Sequence, residues 1–157
     1  MSPAPESVWD YPRPPRAEPS ADTVEIVLGG RVVARSARTV RVLETSHPPT
    51  YYVPAADFDE GVLQPVTGSS WCEWKGLASY CDLVSGAVHA DRAGWTYPRP
   101  SADFAVLLDT VAVYPGRVER CTVNGEVVRA QAGGFYGGWI TDRVVGPFKG
   151  EPGTAGW

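Results

Sequence analysis

The chain has 157 residues, 43% hydrophobic and 20% charged, which suits one globular domain with a single core. No apolar run approaches the roughly 18 residues of a membrane-spanning helix, and Met1 to Glu6 places no basic patch ahead of an apolar stretch, so a cytoplasmic protein without a membrane partner is expected. Lys and Arg number 14 against 18 Asp and Glu, a net charge of −4, the wrong sign for holding nucleic acid by counterion release.

Glycine (17), proline (15) and an apolar set dominated by valine favour strands and turns over helices. The expectation is a mainly β protein, a compact single-domain twisted β-sheet with at most one short helix. Residues 1–22 form a proline-rich arm with six prolines in the first twenty positions. Proline removes a backbone donor and fixes φ, which keeps the arm out of a sheet interior, while Val8, Trp9 and Tyr11 anchor it on the body; a disordered tail is the alternative. Residues 23–130 form the β domain. Val24 to Leu28 alternates as a strand, Gly29-Gly30 turns, and Arg31 to Ala34 returns. Val40 to Glu44 predicts a third strand, and Tyr51 to Pro54, bracketed by prolines, a short edge strand. Two more strands are expected over residues 70–88. Ser101 opens the one expected helix with a hydroxyl cap, and Val111 to Tyr114 is again a strand. Asn124-Gly125 is the pair a type I′ hairpin turn prefers. Residues 131–157 are a glycine-rich extension whose glycines exclude long regular structure, yet whose Phe135, Tyr136, Trp139, Phe148 and Trp157 predict packing against the domain.

Only two lysines stand beside twelve arginines, and both follow an aromatic and precede a glycine: Trp74-Lys75-Gly76 and Phe148-Lys149-Gly150. A compact ammonium kept where arginine is otherwise preferred can bind an anion, pair with a carboxylate or act as a nucleophile; an exposed turn lysine is the plainer reading. In a strand, Cys72 and Trp74 would face one side and Glu73 and Lys75 the other, which separates the thiol from a Glu73–Lys75 ion pair and leaves Cys72 either a nucleophile or an inert buried thiol. Three cysteines without a Cys-x-x-Cys pair or ligand spacing to His47 or His89 predict free thiols and no metal site. Asp57-Phe58-Asp59-Glu60 could hold a hard cation through oxygen ligands but reads more simply as solvated acids. Neither a Gly-x-Ser-x-Gly elbow nor a phosphate-binding Gly-x-x-x-x-Gly-Lys-Ser/Thr run occurs. Tyr51, Tyr52, Trp71, Trp74, Tyr80, Trp95 and Tyr97 concentrate between positions 51 and 97, as pocket walls or as core.

Several of these segments together carry a resemblance. Pro48-Pro49-Thr50-Tyr51-Tyr52-Val53-Pro54, Cys72-Glu73-Trp74-Lys75-Gly76, Ala93-Gly94-Trp95-Thr96-Tyr97-Pro98 and Val111-Ala112-Val113-Tyr114-Pro115, with Glu44, resemble the bacterial family called domain of unknown function 427, over about Thr23 to Val128. The resemblance implies a compact all-β, tent-like (Mss4-like) barrel of the kind also seen in some zinc proteins, whose paired cysteines this chain lacks. A nucleotidyltransferase label attached to the family implies Gly-Ser ahead of an Asp-x-Asp metal pair; here Asp57-Phe58-Asp59 precedes Gly68-Ser69.

These residues converge on one expectation: a small, anionic organic ligand in an aromatic pocket bounded by Glu44, Tyr52, Trp74, Lys75, Tyr80, Trp95 and Tyr97, with Lys75 on the anion and Arg13 of the arm covering it. Neither cofactor nor metal is expected, and the chain is read as monomer or homodimer. The alternatives are an enzyme with Cys72 or Lys75 as nucleophile and Glu44 as acid or base, and a protein-interaction module with an aromatic-proline surface.

Overall fold

In a computed structural model, the structure describes residues 5–132, 136–151 and 154. Its strands in chain order are β1 (Glu6–Ser7), β2 (Arg16–Ser20), β3 (Val24–Leu28), β4 (Arg31–Ser36), β5 (Thr39–Leu43), β6 (Thr50–Pro54), β7 (Leu63–Cys72), β8 (Gly76–Ser85), β9 (Val88–Thr96), β10 (Thr110–Val113), β11 (Arg120–Val123), β12 (Glu126–Val127), β13 (Arg129–Ala130), β14 (Trp139–Ile140) and β15 (Val144–Val145). Seven form one sheet in the order β2-β5-β6-β10-β9-β8-β7, and four form a second, β12-β11-β3-β4. The large sheet ends at β2 and β7, so it is open and not the closed barrel that the resemblance implied. Two-stranded pairs, β1 with β15 and β13 with β14, tie the chain ends to the body. No helix among the described residues is long and apolar enough to cross a membrane.

Side chains on a strand alternate between faces, and the two faces of the large sheet build separate clusters. Tyr51, Val53, Val111 and Val113 face the small sheet, where Ile26, Leu28, Val33 and Trp139 complete the main core. Tyr52 and Ala112 point the other way, joining Val40, Val42, Trp95, Tyr97, Phe104 and Tyr114. A third cluster of Val8, Tyr11, Leu43 and Val144 joins both chain ends to β5.

Both expected hairpin turns form, with positive φ at Gly29 and Gly30 and at Asn124 (50°) and Gly125 (84°), the backbone of a type I′ turn. Three expectations are corrected. Tyr51 to Pro54 is not an edge strand: β6 lies between β5 and β10, because Pro48, Pro49 and Pro54 flank the run and leave the donors between them free to pair. Residues 63–96 hold three long strands rather than two, since the polar, glycine-containing stretch before Trp71 pairs with β8 across a register irregularity between Pro65 and Ser69. The expected helix is a 3-10 segment, Ala102–Leu107, broken at Phe104 (φ −120°, ψ 21°), and the Ser101 hydroxyl does not cap it; Ser101 Oγ donates instead to the Trp74 carbonyl at 2.6 Å. Shorter 3-10 segments occur at Val8–Asp10, Ala55–Asp57 and Pro115–Arg117.

The arm's β2 pairs with β5 along its whole length, Pro19 included, an edge position that tolerates proline's missing donor. Val8 and Tyr11 are buried, whereas Trp9 is 44% exposed and holds the extension through its indole N–H, which donates to the Pro147 carbonyl at 2.9 Å. Arg41 of β5, on the opposite face from Val40 and Val42, is only 3% exposed. Its guanidinium donates to Glu6 Oε1 at 3.0 Å and to Glu18 Oε1, and Tyr11 Oη donates to the same Glu6 oxygen at 2.8 Å. Arg143 approaches Glu6 at 3.9 Å and also bonds Asp22.

Burial pushes the Glu6 carboxyl up, but hydrogen bonds from Arg41 and Tyr11 and the Arg41 and Arg143 charges outweigh it and hold the group below its ordinary value. A lowered carboxylate pKa contributes stability that is present above the unfolded value, about 4.3, and is lost as pH falls through the folded one. Glu6→Gln should therefore cost about 1–2 kcal/mol in urea unfolding at pH 7, a figure discounted for a side chain one-third exposed, with the gap narrowing near pH 3. An equal gap at both pH values would show that charge is not what Glu6 contributes.

Candidate functional site

The face of the large sheet that carries Tyr52 opens into a cavity of about 500 Å³, within the size range of small-molecule sites. All eight residues nominated from sequence line it: Arg13, Glu44, Tyr52, Trp74, Lys75, Tyr80, Trp95 and Tyr97. Cys72 and Lys149 do too, so the two lysines share one cavity. The floor is aromatic. Tyr52 meets Trp95 edge-on at 6.2 Å and Tyr97 at 6.2 Å, and Trp95 packs on Tyr114 at 4.5 Å. Burial pushes the phenols of Tyr52, Tyr97 and Tyr114 above the ordinary tyrosine value, so these walls are uncharged at neutral pH and their hydroxyls keep their protons.

Strand alternation does not reach Lys75. β7 ends at Cys72, and Glu73, Trp74 and Lys75 form the turn into β8. The Trp74 carbonyl accepts from Ser101 Oγ and the Lys75 carbonyl from Ser101 N at 3.0 Å, pinning the turn over the sheet face. This corrects the expected separation of thiol and amine: Cys72 and Lys75 line the same cavity. No ion pair joins Glu73 and Lys75; Glu73 is exposed while Lys75 is 9% exposed. Lys75 Nζ sits 5.8 Å from the ring centroids of both Tyr97 and Phe104, and no carboxylate among the described residues lies within 4.0 Å of it.

Polar groups from the chain ends form the other part of the wall. Arg13 Nη2 donates to the Thr45 carbonyl at 3.1 Å and Arg13 Nε lies 3.9 Å from Glu44, an ion pair exposed enough to be worth under about 1 kcal/mol. The sequence reading missed His47, Thr50, Ser70, Tyr114, Gln131 and Tyr136, all of which line the cavity. The proximity of His47 to Glu44 and its place ahead of Pro48-Pro49 was the available signal for it; Gln131 and Tyr136 sit in a segment whose composition gives no register. The extension is held closely: Lys149 N donates to the Ser46 carbonyl at 2.7 Å, Gln131 Nε2 to the Lys149 carbonyl at 2.7 Å, and Gly138 N to Gln131 Oε1 at 3.2 Å. Trp139 is buried in the main core and Phe148 packs on the third cluster, while Phe135 and Trp157 lie outside the described residues.

Chemistry away from the cavity is occupied by local pairs. Arg38 grips Asp57 with two hydrogen bonds, 3.0 and 2.7 Å, and Arg31 Nη1 reaches Asp59 at 3.0 Å; neither acid lines the cavity. The described residues include one group able to offer three metal-type donors, Asp82, His89 and Asp91. Its exposed His89 hydrogen-bonds Asp82, whose other oxygen accepts from Arg92 N at 2.8 Å. Cys81 and Cys121 are buried free thiols; burial, with Asp82 nearby, pushes Cys81 up to about 11, and burial alone raises Cys121, so neither supplies a thiolate at neutral pH.

Gly137 marks where the extension presses on the floor. A Cβ there would lie 2.1 Å from the Trp95 ring, and that ring is fixed between Tyr52 and Tyr114. Gly137→Ala should destabilise by about 1–3 kcal/mol and alter the near-ultraviolet circular dichroism of the tryptophans. Wild-type stability with an unchanged spectrum would mean that this contact does not set the extension's position.

Comparison with known proteins adds one finding. No curated protein matches the chain. A family model described as a domain of unknown function (DUF427) matches residues 16–124, a span that contains β2 to β11 and the aromatic floor. The chain therefore belongs to the DUF427 family, with Lys75 and the rings of Tyr52, Trp95 and Tyr97 inside the matched region and Arg13 and Lys149 outside it.

Proposed function

We propose that the cavity binds a small anionic organic ligand, with the Lys75 ammonium meeting the anion and the rings of Tyr52, Trp95 and Tyr97 covering its apolar part. The observation that carries this reading is the isolation of Lys75. Its side chain lines the cavity beside the rings of Tyr97 and Phe104 and is paired with no carboxylate among the described residues, so a bound carboxylate or phosphate would supply the counter-charge. We further read the protein as cytoplasmic, a view supported by three free thiols.

A second reading, an enzyme with Cys72 or Lys75 as nucleophile and Glu44 as acid or base, is favoured by their shared cavity. Reactivity separates it from simple binding: a catalytic thiol labels with iodoacetamide at neutral pH far faster than a free cysteine in the unfolded chain.

The test of the binding reading is a thermal-shift series with phenylacetate, 3-phenylpropionate and phenyl phosphate on wild type and Lys75→Met. A probe at 100 times its Kd stabilises by about 2.7 kcal/mol, roughly 5–10 °C for a chain of this size. The shift should vanish in Lys75→Met, whose own melting temperature stays close to wild type. Equal shifts in both proteins, or none with any probe, would overturn the assignment of an anion to Lys75.

A further inference from the structure

Among the described residues, the imidazole of His47 has a hydrogen-bond partner at one nitrogen only. Nδ1 lies 3.0 Å from the Thr45 carbonyl oxygen, and a carbonyl only accepts, so Nδ1 carries the proton. In the neutral ring Nε2 is then a bare acceptor, and no described residue donates to it. The ring lines the cavity and meets Tyr136 edge-on at 5.4 Å. Among the described residues, the charged groups that act on it are Glu44 from the same loop, Lys149 from the extension and Arg13 from the arm. Burial first, opposed by Glu44 and the Thr45 carbonyl and aided by Lys149 and Arg13, holds the imidazole below its ordinary pKa, so the neutral ring prevails at pH 7.

We infer that His47 accepts a hydrogen bond from the ligand through Nε2, so that the ligand is an aromatic acid bearing, apart from its anionic group, a hydroxyl or N–H. The inference rests on the anion site at Lys75 and adds a second point of recognition to it. An aromatic body fits the rings of Tyr52, Trp95 and Tyr97 that line the same cavity, and the donor requirement follows from the tautomer. An acceptor on the cavity wall that loses water to a ligand without gaining a donor penalises that ligand, which is how such sites disfavour analogues lacking the donor. Neutral His47 next to Glu44 thus selects for a donor, while Lys75 selects for charge.

Isothermal titration at pH 7.5 with 3-phenylpropionate and its 3- and 4-hydroxy derivatives tests this on the full chain. At least one hydroxy acid should bind about tenfold tighter than the parent acid. In His47→Phe the gap should close while the parent acid still binds; in His47→Gln, whose amide oxygen can take the place of Nε2, part of the gap should remain. Lowering the pH through the His47 titration turns Nε2 into a donor, and the wild-type gap should shrink, a readout in the unmodified protein should the Phe variant fail to fold. If the parent acid binds through Lys75 but no hydroxyl improves it, or if the gap survives in His47→Phe, the His47 assignment falls and the anion site stands. If none of the acids binds, both fall.

Discussion

A guanidinium buried to 3% exposure constrains everything around it, because its donors need acceptors and its charge needs anions. Arg41 finds them in Glu6 and Glu18, both of which lie in the first twenty residues. Glu6 recruits Tyr11 and Arg143 in turn, and Arg143 binds Asp22. One side chain in β5 therefore sets where the arm crosses the sheet and where the extension returns to it. Arg13, two residues beyond Tyr11, and Lys149, beyond β15, reach the cavity from segments that this network holds. The position of these cations follows from this network together with local holds, Arg13 on the Thr45 carbonyl and Lys149 N on the Ser46 carbonyl.

The floor follows from an equally local rule. Adjacent residues on β6 point to opposite faces, so Tyr51 closes the main core and Tyr52 opens the second cluster. The same alternation on β10 places Ala112, the smallest side chain of its strand, in the second cluster, paired across the sheet with Tyr52. Volume for a ligand exists on this face because the second layer there is made of a turn, a 3-10 segment and the two chain ends instead of a second sheet.

How much of this was legible differs by feature, and the reasons are physical. Hairpins with Gly29-Gly30 and Asn124-Gly125 were readable because a type I′ turn demands positive φ and few residues supply it. Tyr52, Trp95, Tyr97 and Lys75 were readable as a set because polar-tipped aromatics and a rare lysine cluster in one stretch of sequence. β7 was obscured because its pairing with β8 spans a register irregularity in a polar, glycine-containing segment, where alternation carries no signal. Ser101 has the composition of a cap, yet its hydroxyl is claimed by a carbonyl 27 positions away, a competition that local sequence cannot reveal. His47 stayed hidden for a related reason. Its tautomer depends on the Thr45 carbonyl, and its neighbours Lys149 and Tyr136 arrive from the far end of the chain.

The cavity is assembled from two sources with different obligations. Tyr52, Trp95 and Tyr97 sit within the matched region and pack in the second cluster as well as lining the cavity, so their replacement disturbs folding and binding together. Arg13, Gln131, Tyr136, Gly137 and Lys149 lie outside it and face the cavity from segments that cover the sheet without belonging to its interior. Such a division decouples specificity from architecture. Under the binding proposed above, exchanges at Arg13, Tyr136 or Lys149 would change the wall of the cavity while the sheet stays as it is, which makes these end segments, and not the sheet, the ground on which a new specificity would evolve.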